Sequence, residues 1–131
     1  MIHVAVALIR DNTLRWLCCQ RGPNEDHAGY WEFPGGKFEN GETLNQAMIR
    51  EIQEELAFDL SAHQIAPFLK LNWRHSSKEV CLHSALINVN HSMTPVLAVH
   101  QSYKWLTTGD LRQLNWLESN IPIVAAIEQR Y

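Results

Sequence analysis

What the 131-residue chain lacks narrows its identity first. It has only three cysteines, Cys18, Cys19 and Cys81. Cys18 and Cys19 are neighbours and poorly placed to pair with each other. No C-x-x-C knuckle occurs, so neither a disulfide framework nor a cysteine-based zinc site is expected. All three are read as reduced and partly buried, as in a cytoplasmic protein. No two of the seven histidines form an H-x-x-x-H pair, so each is read as an ordinary surface or core histidine. Positive charge is scarce: 11 Lys and Arg against 14 Asp and Glu give a net charge of −3. That balance argues against a surface for nucleic-acid polymers, which is normally basic. No apolar run approaches the ~20 residues that cross a bilayer. The N-terminal "MIHVAVALIRD" has no positive n-region and no small-residue cleavage site. There is no linker, repeat or low-complexity tract. The expectation is one domain over residues 1–131, cytoplasmic, monomeric or weakly dimeric, with no membrane partner.

Local patterns are legible along the chain. Residues 2–10 alternate and are rich in Val and Ile, and residues 14–20 resume a strand after the turn Asp11-Asn12-Thr13, so a hairpin is expected. Residues 22–31 carry the Gly, Pro, Asn and Asp of a loop, and Pro34-Gly35-Gly36 is a breaker. Thr43 and Gln46 form a capping box. Leu44, Met48, Ile52 and Leu56 then recur every fourth residue, the apolar face of a helix ending near Ala57. Two strands are expected over 65–74 and 79–89 with "HSSKE" as their turn. A short strand over 102–106 and a brief helix over 110–114 follow. The last helix opens at Asn120-Ile121-Pro122, with Asn120 as its cap. Strands in hairpins combined with two helices predict an α+β fold, a mixed sheet between helices in an α/β/α sandwich.

One turn of the first helix is unusual. "REIQEEL" puts Glu51, Glu54 and Glu55 beside Arg50. At ~100° per residue the three carboxylates span an arc of roughly 100°. Like charges one turn apart destabilise a helix unless a cation offsets them. Arg50 supplies one positive charge, Lys37 another, and Mg²⁺ would supply more, because it prefers carboxylate and carbonyl oxygens shared with phosphates. Upstream, Gly35 and Gly36 let backbone approach a ligand or present a carbonyl. Glu42 stands where it can join the carboxylates or fix Arg50.

From Gly36 the chain reads Gly, five residues, Glu42, seven residues, then Arg50-Glu51-Ile52-x-Glu54-Glu55-x-Ala57-Phe58. This resembles the Nudix box, G-x5-E-x7-R-E-U-x-E-E-x-G-U with U apolar. A chance match at these gaps is on the order of 10⁻⁵ or rarer in a chain of this length. Ala57 replaces the box glycine, whose usual place is a left-handed helix end; either alanine takes that conformation at a cost of about 1 kcal/mol or the helix ends differently. The similarity extends over nearly the whole chain to the MutT branch, the 8-oxo-dGTP diphosphatases and their cytidine-nucleotide relatives. Its carriers are "WEFPGGK", Arg21 twelve residues before Phe33, and Asn120 followed by Ile-Pro. Lys78 falls where the branch has an arginine near substrate.

The resemblance implies a Mg²⁺-dependent nucleoside triphosphate pyrophosphohydrolase, with Mn²⁺ able to substitute, that releases nucleoside monophosphate and pyrophosphate. It implies Glu51, Glu54 and Glu55 with the Gly35 carbonyl as metal ligands. Arg50 orients the glutamates. Arg21 and Lys37 meet phosphate, alongside Gly35, Gly36 and Lys78. Asn120 reads the base unless it only caps the helix, and Phe33, Trp31 or Trp73 packs on the base. Relatives often carry a glutamate where this chain has Val99, ahead of His100-Gln101. Glu54 is then the expected general base, with Glu51 and Arg50 beside it. The preferred substrate is an oxidised purine such as 8-oxo-dGTP, in the sanitising role that supports DNA repair. CTP or a modified dCTP is the alternative. A non-catalytic nucleotide-sensing domain is an alternative of another class, which the intact box carboxylates oppose.

Overall fold

The computed structural model describes all 131 residues. In chain order the elements are β1 (Ile2–Arg10), β2 (Arg15–Arg21), β3 (Trp31–Glu32), β4 (Gly35–Lys37), α1 (Leu44–Leu56), β5 (Ala66–His75), β6 (Lys78–Asn88), β7 (His100–Thr107) and α2 (Ile121–Arg130). The 3₁₀ segments Thr108–Gln113 and Glu118–Asn120 precede α2. No helix is long and apolar enough to cross a membrane.

β1 is the strand on which the seven-stranded mixed sheet is assembled. Residues 5–9 are fully covered on both faces, which is why "VAVALI" reads as a nearly continuous apolar run. β6 runs parallel to β1 from Ile2↔Val80 to Arg10↔Asn88, and β5 continues that edge as an antiparallel hairpin. The other edge of β1 is shared. β4 pairs with its first half and β2 touches it only at Arg10↔Trp16, before running on to β7 and β3. The expected β1–β2 hairpin is therefore reduced to its turn, because β4 occupies the place β2 would have taken. Gly35 makes that substitution possible. Its φ is +153°, and a Cβ there would drive into the Ala5 carbonyl. β3 and β4 are too short to leave a periodicity, so the breaker sequence concealed them.

The alternation of β1 sorts two cores. Ala5, Ala7 and Ile9 pack with Ala47, Met48, Ile52 and Leu56 of α1. Val6 and Leu8 pack with Trp16, Trp116 and Ile123, Val124 and Ile127 of α2. The result is the α/β/α sandwich that the pattern predicts. α1 carries its capping box as read, Thr43 Oγ1 accepting from the Gln46 amide at 3.2 Å and Gln46 Oε1 from the Thr43 amide at 2.9 Å. It ends at Ala57 in the left-handed conformation, φ 54° and ψ 41°.

Asn120 is not the cap expected of it. Its backbone is helical and its side chain makes no capping bond. Instead Oδ1 accepts the Phe33 amide at 3.0 Å, and Nδ2 donates to Ser119 Oγ at 3.3 Å. The 3₁₀ turn before it already continues the helix, so no orphan amide needs the side chain. The same segment is laced to β3 by Trp31 N–H to Asn115 and Leu117 N–H to Trp31.

Two stability predictions follow from these bonds. Replacing Ala57 with glycine relieves a left-handed alanine, worth about 1–2 kcal/mol, and adds unfolded-state freedom worth about 0.4–1 kcal/mol. The net gain is about 0.5–1 kcal/mol, read as a higher urea midpoint at unchanged slope. Asn120→Ala strands the buried Phe33 amide and lowers stability by about 1–3 kcal/mol. Asn120→Asp, which keeps the acceptor, loses less in the same titration.

Candidate active site

Arg50 lies at the centre of the charged turn. Its Nε and Nη2 donate to Glu42 at 2.7 and 2.8 Å, Nη1 to Glu51 at 2.8 Å and Glu54 at 3.2 Å, and Nη2 also to the Lys37 carbonyl at 2.9 Å. Every N–H of the guanidinium is thereby engaged within the protein. The bidentate bond from Arg50, with the Glu39 amide, holds Glu42 down at a pKa of about 2. The Arg50 pKa is raised, foremost by Glu42 and then by Glu51.

The box carboxylates divide by environment. Glu51 is 13% exposed, its carboxylate pressed against Gly36 where a Cβ would collide with it. Glu54 is 57% exposed and turns along the helix toward Arg50. Glu55 points inward, and its Oε2 is buried without a hydrogen-bond partner. Its pKa is pushed up to about 8 by burial first, then by the charges of Glu51 and Glu32, while the Gly35 amide and Arg21 pull it down. Buried carboxylates pushed together and left unpartnered are what a divalent cation relieves.

Glu55 opens into a cavity of about 350 Å³ lined among others by Arg21, Glu32, Gly35, Gly36, Lys37 and Val99. Glu32 is the residue the sequence reading missed. It pairs in register with Cys19, and Cys19 belongs to the α1 core. Strand alternation thus sends Trp31 and Phe33 toward α2 and Glu32 to the α1 side near Glu55. Its carboxylate accepts from Arg21 Nη1 at 3.1 Å and bonds His100 Nε2 at 2.9 Å. The only sequence signal was an acid between two aromatic residues. His100, also missed as a site residue, lines the same cavity, and its Nδ1 is buried without a partner.

Arg21 also donates through Nε to the Asp26 carbonyl at 2.6 Å, which leaves Nη2 free. It is the residue shared with a second cavity of about 410 Å³. That cavity lies between Asp26, His27 and Tyr30 of one loop, Trp73 and His75 of the hairpin, and Leu117, Glu118 and Ser119 before α2. His27, read as a plain loop histidine, is in its wall.

The expected base-side residues are distributed unevenly. Trp73 lines the second cavity, whereas Phe33, 3% exposed and stacked on Trp116 with centroids 4.7 Å apart, lines neither. Trp31, 7% exposed, is also in the α2-side core. Asn120 is buried behind Ser119 and lines neither. Lys78 starts β6 at the hairpin tip, opposite His75, and is solvated outside both.

Known proteins resemble the chain along its length. The family model described as NUDIX domain matches residues 1–127. A CTP pyrophosphohydrolase of Escherichia coli is 32% identical over 128 residues, 96% of this chain and 90% of that protein. An 8-oxo-dGTP diphosphatase of Proteus vulgaris is 42% identical over 60 residues, 46% of this chain and 54% of that protein. The solution structure of the E. coli ORF135 protein superposes with a TM-score of 0.83 at 29% identity, covering 98% of this chain and 89% of that one. With the box glutamates gathered on α1, a glycine-built β4 beside them and a family match across nearly every residue, the chain belongs to the Nudix hydrolase family.

Proposed function

We propose that this hydrolase cleaves a nucleoside triphosphate to the monophosphate and pyrophosphate, with an oxidised purine such as 8-oxo-dGTP as preferred substrate. The observation that carries the reading is the pair of cavities joined at Arg21, one walled by glycines and acidic residues that include Glu55 of the box, the other in part by aromatic rings. A polyanion and a base need those two environments side by side.

The residues present fit a divalent cation: an unpartnered buried Glu55 oxygen, Glu51 against Gly36, and oxygen donors throughout. Glu51, Glu55 and the Gly35 carbonyl would hold Mg²⁺, with Glu54 completing the set. When bound, the ion neutralises phosphate charge and lowers the pKa of water. The protein's own groups do the rest. Arg21, through its free Nη2, and Lys37 bind phosphate oxygens. Arg50, with no donor to spare, fixes the glutamates instead of touching substrate. Glu54, the most exposed box carboxylate, accepts the proton of the attacking water, since Val99 cannot. The Glu32–His100 pair braces Arg21.

In the aromatic cavity Trp73 or Tyr30 stacks the base. The Glu118 carboxylate accepts from base N–H groups, favouring guanine-like rings and cytosine, which carry an exocyclic amino group, over thymine and uracil, whose single N–H lies between two carbonyls that repel a carboxylate. Asn120 reaches the base only by rearranging around Ser119, so it acts through the backbone of Phe33. The second reading, a CTP or modified-dCTP pyrophosphohydrolase, is favoured by the full-length relative of that name.

Steady-state assays of purified protein with Mg²⁺ against 8-oxo-dGTP, dGTP, CTP, 5-methyl-dCTP and dTTP, detecting pyrophosphate, rank the bases. The expected order puts 8-oxo-dGTP first and dTTP last. Turnover led by CTP selects the second reading, and nucleotide binding without turnover overturns both. Glu55→Gln lowers kcat by at least about 100-fold, the scale of metal-supplied stabilisation. Its effect on stability has the opposite sign. The Glu55 pKa is raised on folding from the ordinary 4.5 to about 8, so the native state binds more protons between those values. The EDTA-treated protein therefore loses stability as pH rises through that window. Urea titrations of Glu55→Gln show that fall diminished.

A further inference from the structure

We propose a second metal site, selective for Zn²⁺ and similar borderline ions, formed by His3, Cys81 and His83 on the α1 face of the sheet. One ligand atom from each lies within 4.8 Å of the other two. His3 Nδ1 and His83 Nε2 face each other at 3.0 Å. Two imidazole nitrogens bound tetrahedrally at ~2.0–2.1 Å from one zinc ion stand roughly 3.3 Å apart. The rings therefore already sit within a few tenths of an ångström of ligating geometry.

The arrangement comes from the sheet. β1 and β6 are parallel neighbours, with His3 opposite Cys81 and Ala5 opposite His83. The period of two puts Cys81 and His83 on one face of β6, and the register puts His3 on the same face of β1. Paired strands hold all three without requiring a loop to order. Cys81 is 1% exposed and forms the floor, while His3 is exposed at the mouth. Phe38 lies against both rings, at centroid distances of 6.0 Å from His3 and 5.1 Å from His83, and limits water on that side. A cavity beside His3 is lined by Lys37, Phe38, Glu39 and Glu42 among others and provides an entry path with acidic groups along it. Lys70, opposite His83 in β5, and Lys37, in the cavity beside His3, are the nearby cations and oppose binding.

The donor set decides which ion is held. A thiolate and two imidazoles suit zinc and disfavour magnesium, which takes oxygen ligands. The chain thus carries a hard oxygen site on α1 and a borderline N/S site on β1 and β6, with no ligand in common. Binding releases the Cys81 thiol proton to solvent. A bare imidazole–imidazole hydrogen bond explains the short nitrogen separation but makes no use of Cys81, and that difference is what the experiment reads.

Co²⁺, as a spectroscopic stand-in for zinc, is titrated into reduced full-length protein at saturating Mg²⁺. The expected result is one equivalent with visible bands of a tetrahedral ion and a sulfur-to-cobalt charge-transfer band, both abolished by added Zn²⁺. Cys81→Ser removes the charge-transfer band. His3→Ala and His83→Ala weaken binding by at least about tenfold, since even outer-shell partners cost that much. Glu55→Gln leaves the spectrum unchanged. Zn²⁺ raises the Tm of the wild type and not of His3→Ala, whose exposed position keeps the fold intact. The absence of a charge-transfer band, its survival in Cys81→Ser, or its loss in Glu55→Gln overturns the proposal.

Discussion

The guanidinium of Arg50 ties the loop before α1 to the helix itself. Glu42 and the Lys37 carbonyl come from the loop side, and Glu51 and Glu54 from the helix. Without that cation the same seven-residue stretch would gather carboxylates with nothing to offset them. Exposed ion pairs are worth little, but this one is multidentate and largely shielded, the arrangement in which such networks contribute. It also sets the position of β4. Lys37 ends β4 and Arg50 holds its carbonyl, so Gly35 and Gly36 stay where β1 and Glu51 require their missing side chains. Packing of β1, placement of β4 and aim of the glutamates depend on one another through this side chain.

What Arg50 satisfies on one side leaves a deficit on the other. Glu55 receives the Gly35 amide and the distant pull of Arg21, and both lose to burial and to two neighbouring acids. A fold selected for stability alone would place a neutral residue there. Ionising Glu55 in that position is costly, and a bound cation as proposed would remove the cost, so the strained position and the proposed metal position coincide.

How much of this was legible in the sequence depends on range. α1, its cap, its left-handed end at Ala57 and the bonding of Arg50 all involve residues within one helix or one adjoining loop; spacing revealed the helix and its cap, and the resemblance to the Nudix box pointed to the helix end and to Arg50 as the partner of the glutamates. Glu32, His100 and the aromatic cavity are assembled from β3, β7, the β5–β6 hairpin and the turn before α2. No spacing encodes that assembly, since register and crossover decide it. Asn120 shows the limit well. Its sequence context, Asn before Ile-Pro, is that of a helix cap, yet a 3₁₀ turn takes over the helix start and the side-chain oxygen accepts the Phe33 amide just after β3 instead. The histidines at 3 and 83 were invisible for the same reason, as only the parallel register of β1 and β6 brings them together.

Val99 illustrates how the two cavities constrain each other. It is 45% exposed and lines the same cavity as Glu55, next to His100, whose ring is held by Glu32. An acid at that position would add a carboxylate to a cavity that already holds Glu32 and Glu55, with Glu51 close enough to raise the Glu55 pKa further. A valine removes that repulsion and leaves Glu32 free to pair with Arg21. Arg21 in turn is the only side chain common to the acidic and the aromatic cavity. A valine at 99 therefore keeps in place the arginine that joins the two cavities. Under the proposed function, the proton transfer an acid would have performed there is assigned to the box carboxylate with the most solvent around it, Glu54.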